Sequence, residues 1–145
     1  MKIFNETIKL KSNGGIELID LNSKIKKLVK ESKTLNGFLI AYIKHTTAGL
    51  KINENEPRLL KDISNFLEKA APRNNKYFHD DIHLRDCPEN ERINAHSHLK
   101  HFGLNTSETI PIVNGSLVLG KWQSLFFVEV DGTREREIHI QIIGE

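Results

Sequence analysis

The stretch WQSLFFVEVDGTREREIHIQII, residues 122–143, decides the fold class. WQSLFFVEV is short, aromatic and β-branched, as a strand should be, and Asp131-Gly132 is a hairpin-turn pair. Ile138, Ile140 and Ile142 then recur at every second residue, the period of a strand with one face in the core. Just upstream, TIPIV and SLVLG flank Asn114-Gly115, the dipeptide that a type I′ turn favours. Near the other end, residues 2–10 read as a strand that returns through Ser12-Asn13-Gly14-Gly15 to Ile16–Ile19, and GFLIAYIK, residues 37–44, as a buried strand.

Helical period interrupts these strands in three places. Leu21, Ile25, Leu28 and Val29 share one face while Lys24, Lys26, Lys27 and Lys30 take a solvated one, which predicts a helix from an Asp20 cap to about Ser32. Pro57 suits a first helical turn, and Leu59, Leu60, Ile63, Phe66, Leu67 and Ala70 line a helix that stops before Pro72. Asn94 is placed to cap a short helix through Leu99 and Phe102. Strands joined by tight turns and broken by a few helices make an α+β fold with antiparallel sheets, one domain over residues 1–145.

Composition narrows the function classes. With 21 Lys and Arg against 19 Asp and Glu, the net charge of +2 disfavours a nucleic-acid partner. Cys87 is the single cysteine, so no intramolecular disulfide forms, and a cytoplasmic location is expected. The N-terminal residues lack the apolar core of a signal peptide, and no run of about 18 apolar residues occurs, so no membrane association is expected. Seven histidines are many for 145 residues, and five of them fall between His79 and His101. Such crowding points to metal or acid–base chemistry.

Four groups of residues could carry that chemistry. HTTAGLKINENEP, residues 45–57, is long and polar for a junction between a strand and a helix. His45 offers a proton acceptor, Asn53 and Glu54 offer oxygen ligands, and the helix start favours anions; the alternative is a solvated connector capped by Asn55. His79, Asp80, Asp81 and His83 are ligand types for zinc, manganese or magnesium without a recognised spacing, and a polar loop explains them equally. On a helix His96 and His98 point to nearly opposite faces, so one functional histidine is expected there, with Lys100 as an anion contact. Thr106 and Ser107 could hold phosphate, and Gln123 lies next to Trp122, whose ring is core by default but could stack on a heterocycle.

Taken in order, HTTAGLKINENEP, YFHD at 77–80, HLK at 98–100, NTS at 105–107, GKWQ at 120–123 and FVEVDGTRER at 127–136 resemble the YjbQ-like family, also called the secondary thiamine-phosphate synthase family. The resemblance covers nearly the whole chain. It implies a two-sheet antiparallel β-sandwich with two to three helices, assembled as a homotrimer. It also implies a thiamine-phosphate synthase-like reaction, in which an aminopyrimidine methyl diphosphate joins a thiazole phosphate and pyrophosphate leaves; the alternative is a trimer that binds metal and a phosphorylated metabolite without this catalysis, or one with a different metal-dependent reaction. The roles expected on the positions it matches are catalysis for His45, Glu54 and His98, and substrate or phosphate binding for Thr46, Asn53, Ser107 and Gln123, with Thr106 added from its hydroxyl alone. A divalent metal, zinc or magnesium, would take His45, His79, His98 and Asp80. Members often have Gly where this chain has Asn105, a change that matters if the 104–107 turn needs a left-handed backbone.

Overall fold

The computed structural model describes residues 1–145. Eight strands run in the order β1 (Lys2–Lys11), β2 (Glu17–Asp20), β3 (Gly37–Tyr42), β4 (Ala48–Glu54), β5 (Ser107–Val113), β6 (Ser116–Leu117), β7 (Gln123–Glu129) and β8 (Glu135–Gly144). Three helices, α1 (Asn22–Ser32), α2 (Pro57–Ala70) and α3 (Ala95–Phe102), are set among them. One sheet has five antiparallel strands in the order β1-β8-β3-β5-β6, and the other has three in the order β2-β7-β4.

The alternation of Ile138, Ile140 and Ile142 places them on the inner face of the five-stranded sheet beside Ile8, Leu39, Ala41, Ile110 and Ile112. Leu125 and Phe127 of β7 and Leu50 of β4 close the core from the opposite sheet, and α1 adds Leu21, Ile25, Leu28 and Val29. Its lysines stay in water, as their helical spacing requires. The alternate residues of β7, Phe126 and Val128, face the other way, into a second cluster with Val130, Leu67, Leu60 and Ile63 under α2. The strand is thus covered on both faces, which is why its sequence is a continuous apolar run.

Two expected hairpins are absent. β7 and β8 belong to different sheets, so Asp131-Gly132 turns the chain from one sheet to the other; β8 pairs instead with β1 and β3. Ser12–Gly15 likewise carries the chain from β1 across to β2. A tight turn fixes the reversal of the backbone but not whether the returning strand stays in the same layer. Asn114-Gly115 does close the two-residue hairpin between β5 and β6, with φ of 50° and 73°, the left-handed conformation that a type I′ turn requires.

Two caps also differ. α2 is capped by Glu56, whose carboxylate accepts from the N–H groups of Arg58 at 2.9 Å and Leu59 at 2.8 Å. These donors hold its pKa below the usual carboxylate value. Asn55 instead donates to Asp20 Oδ2 at 2.7 Å. Asp20 sits just outside α1 and accepts from Asn22 N–H at 2.7 Å, while Leu21 occupies the cap position. Trp122 is 64% exposed and outside the core, with Lys121 Nζ 4.8 Å from its ring centre. Phe127→Ala should therefore cost about 3–5 kcal/mol of unfolding free energy, and Trp122→Ala less than about 0.5 kcal/mol, in urea denaturation. Comparable losses for the two would contradict this placement.

Candidate functional site

The end of the sandwich where β7 stops and β8 starts is built around a buried ion pair. On β7, Leu125, Phe127 and Glu129 share the core-facing parity; on β8, Arg136 shares it with Ile138, Ile140 and Ile142. The polar member of each series, last on β7 and first on β8, therefore points inward at the same end. Glu129 and Arg136 meet there through two bonds of 2.7 Å, Nε to Oε2 and Nη2 to Oε1. Ser12 Oγ donates to Glu129 Oε2 at 3.0 Å, and the N–H groups of Val130 and Asp131 donate to Oε1 at 3.0 and 2.9 Å. Arg136 Nη2 also donates to Thr47 Oγ1 at 3.1 Å.

Two residues further along β7's extension, Asp131 holds Arg134 in the same manner, with Nη2 at 2.7 Å and Nε at 3.1 Å from Oδ2. Burial alone would raise the Asp131 carboxyl, but hydrogen bonds from Arg134 and Asn94 and the charges of Arg92 and Arg134 outweigh it and hold the pKa below the ordinary value.

Above these pairs opens a cavity of about 410 Å³ with no hydrophobic residue in its lining. It brings together His45, Thr46, His79 and His98 from the expected set. Lys44, Thr47, Arg85, Arg134 and Arg136 line it as well, and Glu91 is its one carboxylate. His79 and His98 stand edge to face with ring centroids 4.8 Å apart. His45 Nε2 accepts the Glu137 N–H at 3.1 Å, which leaves its proton on Nδ1. Burial, then the charge of Arg136, lowers the His45 pKa; burial, then the His79 imidazole, lowers that of His98.

Other expected residues lie elsewhere. HTTAGLKINENEP is mostly strand, not junction: β4 occupies Ala48–Glu54 because Ala48, Leu50 and Ile52 alternate into the core. Six residue steps at the antiparallel rise separate its ends by about 20 Å. Glu54, Asn53 and Gln123 therefore lie at the far end from His45, where Glu54 faces Gln123 across the ladder and Asn53 faces Ser124. Gln123 closes its own turn by accepting the Gly120 N–H at 2.8 Å. Thr106 and Ser107 are exposed beside Ile43 and Tyr42, outside the lining. Asn105 has no left-handed φ; it bridges the two sheets through reciprocal backbone bonds with Leu50. Asp80 uses Oδ1 to accept the Ala95 N–H at 3.0 Å and so caps α3 in place of the Asn94 side chain.

His83 is exposed, and His96 is buried on the face of α3 opposite His98, beside Lys100, whose Nζ pairs with Glu68 Oε2 at 2.6 Å. Lys100 thus serves the packing of α3 on α2. No three His, Cys, Asp or Glu side chains come close enough to share a metal ion, whereas a zinc centre takes at least three protein ligands. The residues of one chain do not fit a zinc site.

A family model described as UPF0047 protein YjbQ-like matches residues 6–145. The chain belongs to this family. It is 39% identical to a UPF0047 protein of Methanothermobacter thermautotrophicus over 145 residues, covering 100% of this chain and 95% of that protein. The crystal structure of a YbjQ-like protein from Sulfolobus solfataricus superposes with a TM-score of 0.88 at 32% identity, over 99% of both chains. A YjbQ/UPF0047 family structure from Clostridium acetobutylicum does so with a TM-score of 0.83 at 35% identity, over 95% of this chain and 99% of that one. No helix of this YjbQ-like chain is long and apolar enough to cross a membrane.

The lowered pKa values have a pH consequence. A native state that disfavours imidazolium at His45, His96 and His98 binds fewer protons than the unfolded chain. Their contribution is full above about pH 6.5 and is lost as the pH falls through that value toward the lower native pKa values. The urea midpoint should drop between about pH 7 and about pH 5, and proton NMR should find His45 and His98 titrating below about 6.5. A midpoint at or above that value for either ring would contradict the geometry described.

Proposed function

We propose that the cavity binds the phosphate or diphosphate of a small metabolite, and that the protein is a transferase of thiamine-phosphate synthase type acting there. The observation that carries the first part is the lining: Lys44, Arg85, Arg134 and Arg136 face a space with Glu91 as the only carboxylate. Two of these cations, Arg134 and Arg136, are held in place by buried carboxylates, so their donors are fixed before any ligand arrives. In the proposed reaction the C–O bond to diphosphate breaks, the thiazole nitrogen takes the methylene carbon, and pyrophosphate departs. Lys44 and Arg85 would neutralise the leaving group, and Arg134 and Thr46 would donate to it. His98, neutral near pH 7, is suited to move a proton to and from a phosphate oxygen, while His45, whose Nε2 is taken by the Glu137 N–H, would donate a hydrogen bond from Nδ1. No step is assigned to a metal; a divalent ion in this reading is magnesium held chiefly by the ligand's own phosphates.

The ring half of the reaction rests on the family resemblance alone, because no Phe, Tyr or Trp side chain lines the cavity. That absence favours a second reading, a phosphometabolite-binding protein without this catalysis. Assembly as a homotrimer belongs to either reading and is supported by the exposure of Phe66, Phe78, Leu99 and Phe102 around α2 and α3. Sedimentation equilibrium should then give three times the 16.6 kDa chain mass. A cytoplasmic location goes with the single cysteine.

Purified protein supplied with both substrates should form thiamine phosphate, and Lys44→Ala or Arg85→Ala should each weaken inorganic pyrophosphate binding about tenfold. Turnover unchanged in His45→Ala and His98→Ala would remove the two histidines from the mechanism. Tight pyrophosphate binding with no product would select the second reading.

A further inference from the structure

Asp131 sits where three parts of the site converge. Its side chain is 2% exposed. Oδ2 accepts two bonds from Arg134, at 2.7 and 3.1 Å, and one from Asn94 Nδ2 at 3.4 Å. Oδ1 accepts from Ser97 Oγ at 3.3 Å, and Arg92 Nη2 lies 4.0 Å away. Asn94 and Ser97 are the cap and third residue of α3, and His98 follows Ser97 directly. The other polar anchors of α3 lead away from the arginines: the Ala95 N–H goes to Asp80, and Lys100 goes to Glu68 on α2. Ser97 Oγ also donates to the Val130 carbonyl at 2.6 Å, a neutral bond that holds the helix start without involving Arg134.

We propose that Asp131 is the positioning residue of the cavity, a single buried carboxylate that fixes the Arg134 guanidinium and the start of α3 against one another and so sets the placement of His98 relative to the anion-facing cations. Its functional meaning rests on the anion-binding reading above. Oδ2 serves Arg134 and the Asn94 side chain at the helix cap, and Oδ1 faces Ser97 Oγ, whose one proton it shares with the Val130 carbonyl. Loss of Arg134 leaves a buried charge short of its main partner, and the cost is relayed to the helix bonded to the same group. Charge is essential to this role. Asp131→Asn keeps the shape but has no charge and only one acceptor oxygen, so it can face Ser97 or Arg134 and not both.

The test is a double-mutant cycle on the full chain, with inorganic pyrophosphate affinity measured by calorimetry for wild type, Asp131→Asn, Arg134→Ala and the double variant. Each single change should weaken binding about tenfold, and the double variant should be no weaker than either, because the two residues act as one unit. Losses that add would overturn the proposal. Amide hydrogen exchange at Ser97 and His98 in the ligand-free chain gives a second arm. Exchange should quicken in Arg134→Ala and Asp131→Asn alike and be largely restored in Arg134→Lys; unchanged exchange in Arg134→Ala would refute the coupling. Should wild type not bind pyrophosphate, the anion reading fails, while the exchange arm still decides whether Asp131 links the two elements.

Discussion

The Glu129–Arg136 ion pair is the constraint on which this end of the molecule depends. Glu129 is 0% exposed and Arg136 6%, so both charges have left water, a step that costs several kcal/mol per ion unless the geometry restores it. Here the restoration is nearly complete: Glu129 accepts from Arg136, Ser12 and two backbone N–H groups. Because Glu129 belongs to the three-stranded sheet and Arg136 to the five-stranded one, the pair ties the layers at the point where their apolar contacts end. It also fixes the first residues of β8. Arg134 on one side and Glu137, whose N–H meets His45, on the other take their positions from it.

Elements whose evidence is local were legible in the sequence. α1 and α2 follow from apolar residues at helical spacing, the β5–β6 hairpin from Asn114-Gly115, and the inner face of β8 from its alternating isoleucines. What was not legible is the layer each strand joins. Ser12–Gly15 and Asp131-Gly132 carry ordinary turn chemistry, and in both places the chain changes sheet, because a buried polar network rather than a ladder meets it on the far side. HTTAGLKINENEP was misleading for a related reason. Its polar residues at the ends drew attention from the alternation of Ala48, Leu50 and Ile52 between them, and that alternation makes it a strand with two remote ends.

The site divides along the same line. His79 and His98 were found from the crowding and His45 from its place at a strand end, and all three line the cavity. The cations were missed. Arg136 had a usable signal, since it occupies a core-facing position of the β8 alternation, and an arginine on the core side must find a carboxylate of matching parity, which Glu129 supplies. Lys44, Arg85 and Arg134 had none, because they stand at strand ends and in the 72–94 segment, where local pattern says nothing about direction.

If the cavity takes an anion, as proposed, the pairing of the cations decides how it does so. Arg134 and Arg136 are already neutralised by Asp131 and Glu129, so the charge they offer a ligand is largely offset from beneath. Lys44 and Arg85 form no ion pair; the Arg85 guanidinium donates only to the His79 carbonyl, at 2.8 Å. The net attraction of the lining therefore comes from these two, while the paired arginines contribute fixed direction. A cavity arranged in this way keeps its most buried cation, Arg136, paired whether or not an anion is present. Under the anion-binding proposal it would still present converging donors to a phosphate, with His45 and His98 lining the same cavity as the paired and the unpaired cations.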